Sequence, residues 1–130
     1  MREIKFRGKR LDNGEWADGF VLFSQDKSEA VIAKLTATES VCENVAPATV
    51  GQFTGFRDKN GREIYEGDIV VLRRGVKNIS NIQTIEWCSH ASAFVRVIDD
   101  MDAHFISEAD MDLYEVIGNI HDNPELLKTE

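Results

Sequence analysis

The chain has 130 residues, with 15 basic side chains (Lys and Arg) against 23 acidic ones (Asp and Glu), and its formal net charge is −8. This length predicts one domain, or one domain with an appended lobe, and it suffices to fold without a metal or a disulfide. The hydrophobic fraction of 42% excludes a disordered chain. The acidic total argues against a general nucleic-acid coat, which needs a positive field.

The sequence shows no membrane or export signal. No apolar run approaches the ~20 residues that a transmembrane helix needs. The opening residues alternate charged with apolar side chains, unlike the apolar core of a signal peptide. Cys42 and Cys88 lie far apart without CxxC spacing, which favours two reduced thiols over a disulfide. We therefore expect a cytoplasmic protein that does not attach to a membrane.

The first part of the chain predicts a small β meander. Alternating or continuous apolar residues favour strands over residues 4–9, 16–23 and 30–35. Asp12-Asn13-Gly14 has the chemistry of a hairpin turn between the first two strands. Gly19 predicts a bulge or a close backbone approach within the second strand. Residues 36–47 are compatible with a strand or a short helix.

The second part predicts the outline of a five-stranded SH3-like barrel. Asn60-Gly61 is a hairpin signal, and Gly67-Asp68 predicts a tight turn in which Asp68 accepts backbone hydrogen bonds. That turn accounts for Asp68, a lone carboxylate, better than catalysis does. Pro124 follows a capping side chain and predicts a short terminal helix. Strands are predicted over residues 49–56, from the Gly67-Asp68 turn to Leu72, over residues 82–87 and 93–98 and, with a helix as the alternative, over residues 111–120.

Together these elements predict a mainly β protein. An N-terminal β meander over residues 1–48 is expected to pack on an SH3-like barrel lobe over residues 49–130, which ends in a short helix. Residues 73–78 are expected to form a basic connecting loop within that lobe.

The sequence lacks a recognisable catalytic motif. GxxxxGK[ST] and GxGxxG are absent, and His90, His104 and His121 are isolated from one another. The carboxylates of Asp99-Asp100-Met101-Asp102 are ligands that Mg²⁺ or Ca²⁺ prefers, but the segment lacks the glycine and the final glutamate of an EF-hand loop. We interpret it as a solvated loop, with a metal-dependent enzyme using Asp100 and Asp102 as the alternative. We predict no enzyme activity, no cofactor and no metal.

Two groups of basic residues are candidates for partner or nucleic-acid contact. Alternation places Lys5, Arg7 and Lys9 on one face of the first strand, and Arg73 and Arg74 lie in the predicted basic loop. Stacking surfaces for bases are available on Trp16, Phe56 and Trp87. The favoured interpretation is that these cations occupy the solvated face of a strand and guard its edge.

The charge is not uniform along the chain. Residues 1–50 carry seven basic and eight acidic side chains, residues 51–98 carry seven and five, and residues 99–130 carry one and ten. The acidic excess therefore lies in the last quarter of the chain. This removes most of the argument that the net charge disfavours nucleic-acid binding. An acidic end on one subunit also complements a basic strand on another, which suits self-assembly.

Three blocks of sequence carry a family resemblance. They are MREIKFRGKR at residues 1–10, VGQFTGFRDKNGREIYEGDIV at residues 50–70 and YEVIGNIHDNPELL at residues 114–127. In this order they resemble the YopX family of phage and prophage proteins, over nearly the whole chain. The matching positions include Arg2, Ile4, Lys5, Phe6 and Arg7, then Thr54, Gly55, Asp58, Gly61, Ile64, Tyr65, Gly67, Asp68, Ile69 and Val70, then residues 115–120 and 123–127.

The resemblance implies a phage or prophage gene, a single compact mainly β unit and a homo-oligomer, and it supplies no catalytic residues. We therefore predict a non-enzymatic homo-oligomeric β module in the cytoplasm of a bacterial host, acting through contacts with a host or phage protein. The alternative is a nucleic-acid-binding module that uses the basic N-terminal strand and the Arg73-Arg74 loop.

Overall fold

The computed structural model describes residues 3–74, 78–99 and 102–127. These residues form two compact units, the first ending at Phe53 and the second beginning at Thr54. Short 3-10 helices lie at Pro47–Thr49 and Pro124–Leu127, and one α helix, α1, at Glu108–Met111. The strands are β1 Phe6–Lys9, β2 Trp16–Phe23, β3 Ala30–Leu35, β4 Ser40–Val45, β5 Gly51–Arg57, β6 Glu63–Tyr65, β7 Asp68–Arg74, β8 Asn78–Cys88, β9 Ala93–Asp99, β10 Asp102–Phe105 and β11 Tyr114–Asn119.

In the first unit the strands run in the order β4-β3-β2-β1-β5. β1 pairs with β2 from Trp16 to Gly19, whereas β3 pairs with β2 from Phe20 to Phe23. Gly19 lies at this change of partner, with a φ of 152° and the backbone carbonyl of Ala33 against the position of a Cβ. A side chain would clash there, so the predicted close approach is confirmed.

Alternation along the strands gives the first unit its core. Ala30, Ile32 and Val45 are buried, and Phe6 and Val21 pack against them from β1 and β2. Residues 36–47, which were compatible with a strand or a short helix, form a strand, β4, and a 3-10 helix begins only at Pro47, their last residue.

The second unit contains a five-stranded antiparallel sheet in the order β10-β9-β8-β7-β11, and β6 lies beside β5. Gly61, with a φ of 81°, makes the turn that Asn60-Gly61 predicted. The buried core of this unit consists of Ile64, Val70, Ile85, Met111, Tyr114 and Val116. These side chains come from the strands and from the last residue of α1.

The mainly β class is confirmed, with two antiparallel sheets and one short helix. An SH3-like barrel over residues 49–130 is not confirmed, because β10 and β11 end the sheet as separate edges. The open choice over residues 111–120 is resolved as strand from Tyr114 to Asn119. The predicted terminal helix is a 3-10 turn.

Two polar segments predicted as loops contain regular structure. β7 continues through Arg73 and Arg74, which pair with β8, so the prediction of a loop at these two arginines is wrong. Pairing with a neighbouring strand stabilises this polar extension, and one segment read alone does not reveal it. Asp102, from the acidic segment predicted as a loop, begins β10. α1 follows β10, and the Ser107 side chain caps it by accepting the Asp110 N–H.

Candidate functional site

The three cations that the sequence places on the predicted first strand are packed against aromatic rings. The Arg7 guanidinium lies 4.5 Å from the centre of the Trp16 ring, and the Lys5 ammonium lies 5.2 Å from that of Phe53. Lys9 lies 6.0 Å from the Trp16 ring. Arg7 is only 9% exposed, so the expectation of a fully solvated face is wrong for it. These contacts give the three residues a structural role.

The second basic group is only partly described. Arg73 and Arg74 lie opposite Ile79 and Asn78 in the β7–β8 ladder. Lys77, from the same predicted loop, lies outside the described residues. The structure therefore places the two arginines on a strand of the second unit and β1 in the first unit.

Of the proposed stacking rings, only Trp87 is open to solvent. It is 47% exposed and makes an edge-to-face contact with Phe94 at 5.0 Å between ring centres. Trp16 lies under Arg7, and Phe56 packs against the core of the second unit. Among these three rings, Trp87 is therefore the one that offers an accessible aromatic face.

The acidic cluster contains a single described pair. Asp102 lies on β10, where its carboxylate is 2.8 Å from Nε2 of His104. Asp100 lies outside the described residues. Within residues 3–74, 78–99 and 102–127, no three His, Cys, Asp or Glu side chains come together as metal ligands. In the same ranges, no helix is long and apolar enough to cross a membrane.

Two buried carboxylates close turns in the second unit. Asp68 Oδ2 accepts the backbone N–H of Tyr65 at 2.7 Å, as the sequence predicted. Asp58 Oδ1 accepts the N–H of Asn60 and of Arg62, while its Oδ2 accepts that of Val116 at 2.9 Å. The link from Asp58 to β11 was missed, because its partner lies 58 residues further along the chain.

The C-terminal block of the resemblance forms an asparagine turn. Asn119 Oδ1 accepts the N–H of His121 and of Asp122, and Asn123 Oδ1 accepts the N–H of Asn119 at 3.2 Å. A Cβ on Gly118 would lie 2.5 Å from Asn123 Oδ1, so the glycine leaves room for this bond. The turn thus accounts for these residues structurally.

A polar network that the sequence did not reveal lies within the second unit. Arg96 lies 5.0 Å above the ring of Tyr114, and its Nη1 donates to Gln83 Oε1 at 2.9 Å. The amide of Gln83 in turn donates to the Tyr114 hydroxyl at 3.4 Å, and Asp110 lies 3.7 Å from the guanidinium. The residues come from β8, β9, α1 and β11, so the network ties these elements together.

The first unit exposes an apolar surface that remains after these structural roles are assigned. Phe20 and Leu22 on β2 are 59% and 62% exposed, and Leu35 on β3 is 72% exposed. Phe20 lies opposite Ala33, and Leu22 opposite Val31. We call this surface the exposed hairpin face; its residues are Phe20, Leu22, Val31, Ala33 and Leu35.

A groove of about 440 Å³ borders the exposed hairpin face. Its apolar walls include Ile4 and Phe20. The charged residues around it balance in sign, since Lys34 lies 3.2 Å from Asp18 and Lys5 lies 3.7 Å from Glu3. The sequence signal for this surface was the unbroken apolar run Phe20–Phe23, because a strand with one solvated face would alternate.

Comparison with known proteins gives a family and a fold. The family model described as YopX protein matches residues 5–128. The chain is similar to the crystal structure of protein EF1440 from Enterococcus faecalis, with 27% identity, a TM-score of 0.64 and coverage of 98% of this chain and 100% of that chain. It is also similar to the X-ray structure of protein yopX from Bacillus subtilis, with 18% identity, a TM-score of 0.59 and coverage of 100% and 99%, respectively. No curated protein matches the chain.

Proposed function

The chain belongs to the YopX family, and from that premise we propose that it is a non-enzymatic, homo-oligomeric β module that acts through protein–protein contacts. The family resemblance further supports a phage or prophage origin and a role in the cytoplasm of a bacterial host. The single observation that carries the protein-contact role is the exposed hairpin face.

An apolar surface that contains several large exposed side chains favours a protein partner. Phe20, Leu22 and Leu35 are each more than half exposed, and they share one face of the β2–β3 pair. Contiguous exposed apolar side chains commonly mark protein interaction sites, since covering them removes apolar area from water. The charge-balanced rim of the neighbouring groove matches the polar rim of such interfaces.

The measurement that tests this proposal is the mass of the protein in solution. Light scattering and sedimentation at increasing concentration should show a species heavier than one chain at tens of micromolar. A strict monomer there contradicts the homo-oligomeric part of the proposal. A pull-down from induced host cells, with Leu22→Lys as the matched bait, tests whether other proteins use the same face.

The second candidate function is nucleic-acid binding, supported by the exposed ring of Trp87 and the excess of basic residues in the segment 51–98. It predicts binding to a single-stranded oligonucleotide that weakens steeply with salt. Arg73→Glu combined with Arg74→Glu, or Trp87→Ala alone, should weaken this binding. An absence of binding at low salt removes this candidate.

A further inference from the structure

In the part of the chain that the structure describes, one side of β2 is an open sheet edge over Phe20–Phe23. β1 pairs with β2 only as far as Gly19, and β3 covers the opposite side of Phe20–Phe23. Residues 3–5, the part of the chain before β1 that the structure describes, form no strand beside it, and the Lys5 carbonyl accepts the N–H of Phe53 on β5. Among the strands that the structure describes, none pairs with Phe20–Phe23 on the side away from β3.

The register identifies the backbone groups that point outward from this edge. The Ser24 N–H donates to the Glu29 carbonyl at 2.9 Å, so this pair is hydrogen-bonded towards β3. In an antiparallel ladder, hydrogen-bonded and non-hydrogen-bonded pairs alternate. The backbone N–H and C=O groups of Phe20 and Leu22 therefore form hydrogen bonds with β3, whereas those of Val21 and Phe23 point away from it.

This edge lacks the features that normally prevent edge pairing. Phe20–Phe23 contains no charge and no proline, and Phe20 and Leu22 are largely exposed. By contrast β10, which ends the sheet of the second unit, carries Asp102 and His104. Natural edge strands use charge, proline or bulges against unwanted pairing, so an unprotected apolar edge is suited to a strand partner.

We propose that this edge binds the same edge of a second copy of the chain. The two β2 strands pair antiparallel about a two-fold axis at Leu22, so that Val21 of each copy exchanges its backbone hydrogen bonds with Phe23 of the other. The two Leu22 side chains then lie opposite each other, and the sheet continues from one protomer into the next. This inference rests on the proposed function and identifies the contact through which the module assembles.

Self-complementarity and charge favour a second copy over another partner. When a second copy is related by a two-fold axis, the outward N–H and C=O groups of Val21 meet those of Phe23 in the other copy. Each donor then faces an acceptor, as an isologous interface requires. The chain carries a net charge of −8, yet the edge itself is uncharged, and Asp18 beside it is paired with Lys34 at 3.2 Å. Within Phe20–Ser24, two copies therefore meet without placing like charges opposite each other.

Amide hydrogen exchange of the full chain tests the pairing directly. Between dilute and concentrated solution, the amides of Val21 and Phe23 should slow by at least about tenfold, because hydrogen-bonded amides are protected. The amide of Leu22 bonds towards β3 in either state and serves as the internal control. Exchange at Val21 and Phe23 that does not change when the protein associates overturns the inference.

A charge substitution on the edge provides the matched mutational test. Leu22→Lys places two ammonium groups opposite each other across the two-fold axis and should raise the dimer dissociation constant by at least about tenfold. Leu11→Lys introduces the same charge at another exposed apolar position of the first unit and should leave the constant unchanged. Circular dichroism of both variants should match the wild type, because both side chains face solvent.

The outcomes separate this inference from the proposed function. A wild-type oligomer that Leu22→Lys dissociates, with protected Val21 and Phe23 amides, supports both. A wild-type oligomer that Leu22→Lys leaves intact overturns the β2 pairing and leaves the homo-oligomeric module standing. A strict monomer overturns both the pairing and the assembly part of the proposed function.

Discussion

Asp58 connects two parts of the second unit that are distant in sequence, so its substitution tests how one residue stabilises the fold. Asp58→Asn keeps the shape but replaces one acceptor oxygen by an amide that faces backbone N–H groups. We expect the free energy of unfolding in urea to fall by about 2–4 kcal/mol, since a charged acceptor and its buried donors are disrupted. Asp112→Asn, on an exposed carboxylate, should change it by less than about 0.5 kcal/mol. Equal values for the two variants contradict this role.

Asp26 shows how a turn residue links stability to pH. The Ser28 hydroxyl, the Ser28 N–H and the Ser24 hydroxyl donate to its carboxylate, and they lower the pKa of Asp26. A lowered pKa means that the carboxylate stabilises the β2–β3 turn above the ordinary Asp pKa of ~3.9, and that this contribution is lost as the pH falls through the lower folded value. Ser28→Ala should raise the pKa of Asp26 towards its ordinary value in a carboxyl NMR titration. Ser89→Ala, in a separate loop, should leave it unchanged.

At the scale of elements, the turn after β11 depends on the absence of a Cβ at residue 118. Gly118→Ala should lower the free energy of unfolding by about 1–3 kcal/mol, because the methyl group displaces Asn123 from the Asn119 N–H. In an Asn123→Ala background the obstructing side chain is gone, so the same substitution should cost much less. A double-mutant cycle in urea measures this coupling. Additive costs would show that Gly118 and Asn123 act independently.

The elements that the sequence predicts well are those with local signals. β2 and β3 follow from continuous apolar or β-branched runs. The pairs Asn60-Gly61 and Gly67-Asp68 predict turns, and the φ values of the two glycines there are 81° and 93°. β10 and α1 have four residues each, too few for a period to be recognised among polar side chains. The strand at Arg73 and Arg74 depends on pairing with β8, which no local pattern encodes.

The candidate site was predictable only as far as side chains follow strand alternation. Arg7 and Lys9 do lie on one face of β1, opposite Asp18 and Trp16. The solvent exposure of that face depends on which side chains cover it. Arg7 is buried beside Trp16 through tertiary packing, which alternation along one strand does not reveal. The open edge of β2 likewise depends on the residue at which β1 stops pairing. It can be located from the strand register but not from the amino-acid composition.

At the scale of the whole molecule, the charge of the chain distinguishes the two candidate functions by the sign of a salt effect. The net charge is −8, and the segment 99–130 holds one basic and ten acidic residues. Two acidic copies that meet through an uncharged edge repel each other at long range, and salt screens that repulsion. We therefore expect self-association to strengthen as sodium chloride is raised from about 0.02 to about 0.2 M, a range in which the Debye length shortens severalfold.

Nucleic-acid binding should instead weaken as salt is raised, because binding releases counterions from the phosphates and added salt opposes that release. Sedimentation equilibrium over that salt range measures the dimer constant, and an anisotropy titration with a labelled oligonucleotide measures the alternative under the same conditions. Sucrose at matched osmolality is the control that separates screening from exclusion of solute from the protein surface. Self-association that weakens with salt would mean that the contact joins opposite charges, such as the basic strand and the acidic end, and would contradict an uncharged pairing edge.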